Sequence, residues 1–242
     1  MAYIRLVAGM IVIAGALIAS PAFAAKKYKG GAVKNGGVIQ GSVIFEGMVP
    51  TLKVAIPEKD RSVCGNDREG LVLVVGPKKG VRAVIVYIKK LKKGKPWAKK
   101  PAKGPVLRNV KCRFEPHVQV VRKGKLTVIN EDPILHNTHG FYGRRPAFNM
   151  ALPKQGEKIK ASLSRTGFAR MECDAHAWMR AYVYVAKNPY WAITDAAGGF
   201  SMTDVPPGKY TLVVAQGYLD AVEMPVTVTP GGELSLTIKL KM

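Results

Sequence analysis

Cys173-Asp174-Ala175-His176-Ala177-Trp178-Met179 places a thiol, an imidazole and a thioether within seven residues, and the reading of the whole chain turns on it. The heptapeptide sits between two β-type runs, Arg170 to Cys173 and Ala181 to Val185, so it reads as a turn that can converge three soft or borderline metal donors. A copper site of one thiolate and two imidazoles with a weak axial thioether needs one more histidine. The candidate lies upstream, in Asn130-Glu131-Asp132-Pro133-Ile134-Leu135-His136-Asn137-Thr138-His139, which is read as the end of a strand running into a polar turn that presents His136. Taken singly, Cys173 is a small buried hydrophobe, His136 and His176 are surface histidines and Met179 is core filler. Taken together the four point to a metal site. Zinc is the main rival to copper, although a thioether is a poor zinc ligand.

Working outward, alternation and turn residues dominate both flanks. Val118 to Val121, Lys125 to Asn130 and Ile159 to Leu163 are short strand-like runs parted by Gly, Pro and Asn, a spacing that suits a β-sandwich. Toward the N-terminus, Val38 to Phe45, Leu71 to Val75 and Val81 to Ile88 read the same way; toward the C-terminus so do Ala192 to Thr194, Phe200 to Thr203, Tyr210 to Ala215, Pro225 to Val228 and Leu234 to Leu240. Sixteen prolines and twenty-five glycines in 242 residues leave little room for long helices. The expected class is all-β, and 48% hydrophobic residues exclude wholesale disorder.

Charge is the compositional outlier, at a formal +22. Fourteen basic residues fall between Lys78 and Arg113, with no acid between Glu69 and Glu115. This stretch reads as a basic surface or loop, either a solvated face or a docking face. At the N-terminus Arg5 precedes the apolar run Leu6 to Ala19 and the small-x-small pattern Ser20-Pro21-Ala22-Phe23-Ala24, which reads as a secretory signal over residues 1–24. Fourteen apolar residues are fewer than the roughly 20 of a spanning helix, so a cleaved signal is favoured over an anchor. The expected location is the periplasm or another exported compartment, where disulfides persist.

At the quoted residues the chain resembles the cupredoxins, and its C-x2-H-x2-M loop is similar to that of the amicyanin branch. Phe114-Glu115-Pro116, Val118-x-Val120 and Gly124 look like that family's F-x-P…V-x-V…G segment, and His136-Asn137-x-His139 looks like its first-ligand motif. The resemblance covers roughly residues 105–187 and implies a Greek-key β-sandwich with one type 1 copper. Its equatorial ligands would be His136, Cys173 and His176, with Met179 axial and Asn137 tethering the two ligand loops. Asp174 and Ala177 depart from the family, which more usually has an uncharged residue after the cysteine and often a proline in the loop. A carboxylate pointing at the thiolate would favour oxidised copper, whereas one facing solvent would change little.

With Cys173 kept for metal, Cys64 and Cys112 remain to close a disulfide between the N-terminal region and the strand entering the copper domain; two separate buried thiols are the alternative. His117 is read as a hydrogen-bonded edge histidine, and His139 as a brace of the ligand loop. Thr194-Asp195-x2-Gly198-x-Phe200 and Val205-Pro206-Pro207-Gly208-x-Tyr210-x-Leu212 resemble the carboxypeptidase regulatory-like, transthyretin-like sandwich. Five strands fall short of that fold. Either residues about 37–100 complete a discontinuous smaller sandwich with 188–242, or residues 25–104, 105–187 and 188–242 are three consecutive β modules.

The copper resemblance implies an exported carrier of single electrons between periplasmic redox partners. Non-redox copper sequestration or delivery, or a structural envelope role, is the alternative. Enzymatic activity is not expected: there is no Ser-His-Asp order, no paired carboxylates near a histidine and no phosphate-binding glycine loop. The expected partner is acidic, such as a cytochrome or oxidoreductase, reaching an apolar patch at which the His176 edge surfaces. An anionic envelope surface is the other use of the charge. Nucleic acid is not expected, because basic and aromatic residues hardly interleave.

Overall fold

The computed structural model describes residues 27–50, 57, 59–65 and 73–242. The signal segment read at 1–24, and Leu71 and Val72 of one expected strand, lie outside the described residues. The N-terminal strands are β1 (Lys29–Gly30), β2 (Gly37–Phe45), β3 (Ile85–Ile88) and β4 (Lys93–Gly94), with the one-turn helix α1 (Arg61–Cys64) between β2 and β3. Next come β5 (Val106–Val110), β6 (Arg113–Glu115), β7 (Val118–Val121), β8 (Gly124–Asn130), β9 (His136–Tyr142), β10 (Arg145–Leu152), β11 (Lys158–Leu163), β12 (Gly167–Glu172) and β13 (Arg180–Val185). The chain ends with β14 (Trp191–Ile193), β15 (Gly199–Val205), β16 (Gly208–Ala215), β17 (Val222–Val228) and β18 (Glu233–Leu240). The protein is all-β.

The first sandwich packs the sheet β10-β9-β12-β13-β7 against β11-β8-β5-β6. Alternation builds its core: Leu126 and Val128 of β8, Leu107 of β5, and Ala181, Val183 and Val185 of β13 point inward and are buried together with Phe114, Leu163 and Met171. Unlike the half-buried strands, β13 is buried on both faces, because Tyr182 and Tyr184 on its far side are also covered.

The second sandwich takes strands from both ends of the chain. One sheet is β14-β3-β16-β17 and the other β15-β2-β18, with β2 antiparallel to β15 and parallel to β18. Ile39, Val43 and Phe45 of β2 enter a core with Val86, Ile88, Leu212, Val214, Val226, Ile238 and Leu240. Gly41 of β2 lies against Leu236 of β18, and a Cβ there would sit 1.9 Å from the Leu236 carbonyl oxygen.

Two local expectations need correction. The run Val81 to Ile88 is not one strand: Ala83 adopts a left-handed φ of 60°, so Val81 bridges Val75 and the strand begins at Ile85. The polar stretch from His136 is not a turn. Glu131 to Leu135 make the turn, and β9 starts at His136, flanked on both sides by β10 and β12. Pairing with β10 along the strand and with β12 from His139 on, together with burial of His136, Thr138 and Gly140, overrides the weak strand propensity of His, Asn and Gly.

Candidate metal centre

The loop Cys173–Met179 joins β12 to β13 as two successive tight turns, with the His176 N–H donating to the Cys173 carbonyl (3.3 Å) and the Met179 N–H to the His176 carbonyl (2.9 Å). This spiral brings Cys173, His176 and Met179 back at every third residue. His136 enters from the first residue of β9. All four side chains are buried, none more than 2% exposed.

Cys173 Sγ lies 3.8 Å from His136 Nδ1 and 3.7 Å from His176 Nδ1. Metal bonds of about 2.3 Å to sulfur and about 2.0 Å to imidazole nitrogen, opened to a trigonal angle, separate S and N by about 3.7 Å. The three donors therefore stand at the spacing that one shared ion requires, all within 4.8 Å of one another. Met179 is buried in the same apolar cluster as Cys173.

Each imidazole turns its other nitrogen to a carboxylate. His136 Nε2 donates to Asp132 (2.8 Å), and His176 Nε2 donates to Asp60 (2.9 Å). Donation from Nε2 leaves the Nδ1 lone pair facing Cys173, the tautomer that a metal needs. Asp132 also accepts the backbone N–H groups of Lys111 (2.6 Å) and Cys112 (2.8 Å). Burial opposes ionisation of Asp132, but these hydrogen bonds, led by that from His136, outweigh it and lower its pKa.

For His136, burial favours the neutral ring, yet Asp132 and the Cys173 sulfur together raise its pKa. Burial lowers the pKa of His176, and Asp60 only partly offsets it, so this ring is kept neutral. Burial opposes the Cys173 thiolate, but hydrogen bonds from His136 and the Asn137 backbone bring its pKa below the ordinary thiol value. Cys173 is the free cysteine of the chain.

Asn137 ties the start of β9 to the Cys173–Met179 loop. Its Oδ1 accepts the backbone N–H of Asp174 (2.7 Å) and Ala175 (3.3 Å) and lies 3.3 Å from Cys173 Sγ. Its Nδ2 donates to Asn149 Oδ1 (2.7 Å) and Asp174 Oδ2 (2.8 Å). The half-exposed Asp174 carboxylate thus turns outward to Asn137, Asn149 and His139, the last at 3.1 Å. His139 braces the Cys173–Met179 loop through this outer cluster. His117 donates from Nδ1 to the Arg180 carbonyl (3.0 Å), on the strand that follows the loop.

Cys64 and Cys112 are disulfide-bonded, and their sulfurs lie within 4.8 Å of a His176 ring nitrogen. The expectation that the His176 edge surfaces in an apolar patch fails for this reason. Its side chain is fully covered, with Asp60 at its outer nitrogen and Trp178 packed 5.1 Å from its ring. Asp132, Asn149 and Asp60 also belong to this cluster, though no metal-ligand spacing in the sequence singles them out. Asp132 carried a signal, an acid four residues before His136 across a Pro-containing turn; Asp60 is 116 residues from its partner and carried none.

Residues 177–241 match the model of the carboxypeptidase regulatory-like domain. The match begins inside the ligand loop and includes β13, which pairs in the first sandwich. No curated protein matches the chain. Among solved structures, a purple cupredoxin from Nitrosopumilus maritimus is 17% identical over 34% of this chain and 99% of its own, with a TM-score of 0.31. Amicyanin from Paracoccus versutus is 18% identical over 42% of this chain and 97% of its own (TM-score 0.32). A Cu-containing nitrite reductase from Thermus scotoductus is 18% identical over 42% of this chain and 25% of its own (TM-score 0.31). The first sandwich has one histidine opening β9 and a Cys-His-Met loop between β12 and β13, and its His/Cys group could hold a metal.

Proposed function

We propose that the chain is an exported type 1 copper protein that carries single electrons, and that His136, Cys173, His176 and Met179 hold the copper. The observation that carries this reading is the convergence of two Nδ1 atoms on the Cys173 sulfur at 3.7 and 3.8 Å, in a pocket closed to solvent. Copper held by such donors gains and loses one electron with little rearrangement. The protein's own part is to favour the Cys173 thiolate, to fix both imidazoles by Nε2 and to lock the two ligand segments together through Asn137. Buried Met179 suits copper better than zinc.

One observation favours a second reading, copper storage without electron transfer: the covered His176 edge removes the exposed ring through which electrons would most simply leave. Absorption separates the two. With Cu(II) the purified protein should be intensely blue or green, should bleach on reduction and should recover on reoxidation, and Cys173→Ser should abolish the colour without unfolding the chain. A colourless copper adduct overturns the type 1 assignment, and a coloured site that does not cycle supports storage. Met179→Leu should retain copper but shift its potential, since the axial ligand tunes the metal more than it holds it.

A further inference from the structure

The two histidines flank Cys173 alike, but what holds them differs in origin. Asp132 belongs to the turn before β9, so His136 is held from within the first sandwich. Asp60 belongs to neither sandwich. It leads α1, accepting on its own carbonyl the N–H groups of Val63 (3.0 Å) and Cys64 (2.8 Å), while Arg61 Nε donates to the Pro57 carbonyl (2.9 Å). The far end of this single turn is bonded to Cys112, whose N–H is held by Asp132. Val63 packs into the core cluster that contains Cys173 and Met179. A single turn, tied at its far end by the disulfide, therefore delivers one carboxylate to the back of a fully covered imidazole.

We infer that Asp60 is a positioning residue of the metal centre: it fixes the His176 ring with Nδ1 toward Cys173 and adds a negative charge that stabilises the oxidised ion. The inference rests on the copper reading. A hydrogen bond to the far nitrogen of a ligating histidine sets its tautomer and raises its basicity. A nearby carboxylate favours the more positive of two metal charges, here under partial solvent screening because Asp60 is itself 37% exposed.

Asp60→Asn keeps an oxygen that can accept from Nε2 and removes the charge, whereas Asp60→Ala removes both. In the copper-loaded full chain, Asp60→Asn should hold copper with unchanged colour while its Cu(I)/Cu(II) ratio at the wild-type midpoint rises about tenfold, equivalent to 59 mV for one electron. Asp60→Glu should return the ratio toward wild type. Asp60→Ala should lower copper affinity ten- to a hundredfold. An Asp60→Asn potential equal to wild type, or an Asp60→Ala affinity equal to wild type, overturns the inference. Nitrogen NMR of the metal-free chain separates this result from failure of the copper reading. His176 should be fixed as the Nε2–H tautomer in wild type and in Asp60→Asn and should exchange tautomers in Asp60→Ala, and identical spectra for wild type and Asp60→Ala refute the positioning role whatever metal binds.

Discussion

Asp174 illustrates how one residue can lie beside the key sulfur and yet act elsewhere. Its backbone N–H bonds to Asn137, but its carboxylate turns outward, and hydrogen bonds from His139, Asn149 and Asn137 outweigh burial and lower its pKa. His117 shows the opposite balance. Burial lowers its pKa, only partly offset by the bond to Arg180, and its Nε2 is buried with no partner among the described residues. A folded-state pKa below the unfolded one means that the unfolded chain takes the proton first. The stability His117 contributes is thus complete above about pH 6.5 and is lost as pH falls toward the folded value. In denaturant titrations of copper-loaded protein, the gap between wild type and His117→Gln should be widest at neutral pH and narrow below about 6.5. A gap independent of pH would refute this assignment.

At the scale of elements, α1 matters more than its four residues suggest, since its disulfide closes a sequence separation of 48. On the chain-entropy model a loop of that length is worth about 4 kcal/mol, so reduction should lower the unfolding free energy by about that much. Alkylation of denatured, metal-free, unreduced protein should label Cys173 alone, and three labels would contradict the bond. β2 is the corresponding key element of the second sandwich, because it joins β15 to β18. Gly41→Ala should destabilise the protein by about 1–3 kcal/mol, as backbone must shift to admit the methyl group. Wild-type stability in that variant would mean that the β2–β18 spacing is looser than described.

Across the whole molecule the sandwiches share an aromatic seam. Tyr184 of β13 packs 4.3 Å from Tyr87 of β3, Phe168 lies 5.0 Å from Tyr184, and Gly217 passes so close to the Tyr182 ring that a Cβ would fall 2.0 Å from it. Lys78 to Lys103 lie on the second sandwich and its connection to the first, mostly exposed, while Lys111 and Arg113 flank Cys112 beside the candidate metal centre. Among the described residues, Lys89 pairs with Glu223 and Arg108 with Glu131. We propose that this basic surface steers an acidic redox partner. Exposed charges are screened over about 8 Å at physiological salt, so the bimolecular electron-transfer rate should fall steeply as ionic strength rises. A flat rate combined with salt-sensitive binding to anionic envelopes would assign the lysines to localisation instead.

Alternation, turn residues and the Cys173–Met179 spacing made the β class and the group of donors legible in the sequence, because periodicity and ligand spacing are local properties of a chain. The polar strand β9 was not legible, since burial between β10 and β12 makes it a strand and no propensity in His-Asn-Thr-His-Gly does. The sequence likewise left open whether the two ends of the chain share a sandwich and which way Asp174 faces. Pairing of β2 with β18 and of β3 with β16, and the outward cluster of Asn137, His139 and Asn149, are contacts between distant residues that carry no local signature. Asp60 is the extreme case: an ordinary surface acid in sequence, it reaches His176 only because a disulfide and one helical turn hold it there, and three-dimensional closure alone makes that contact.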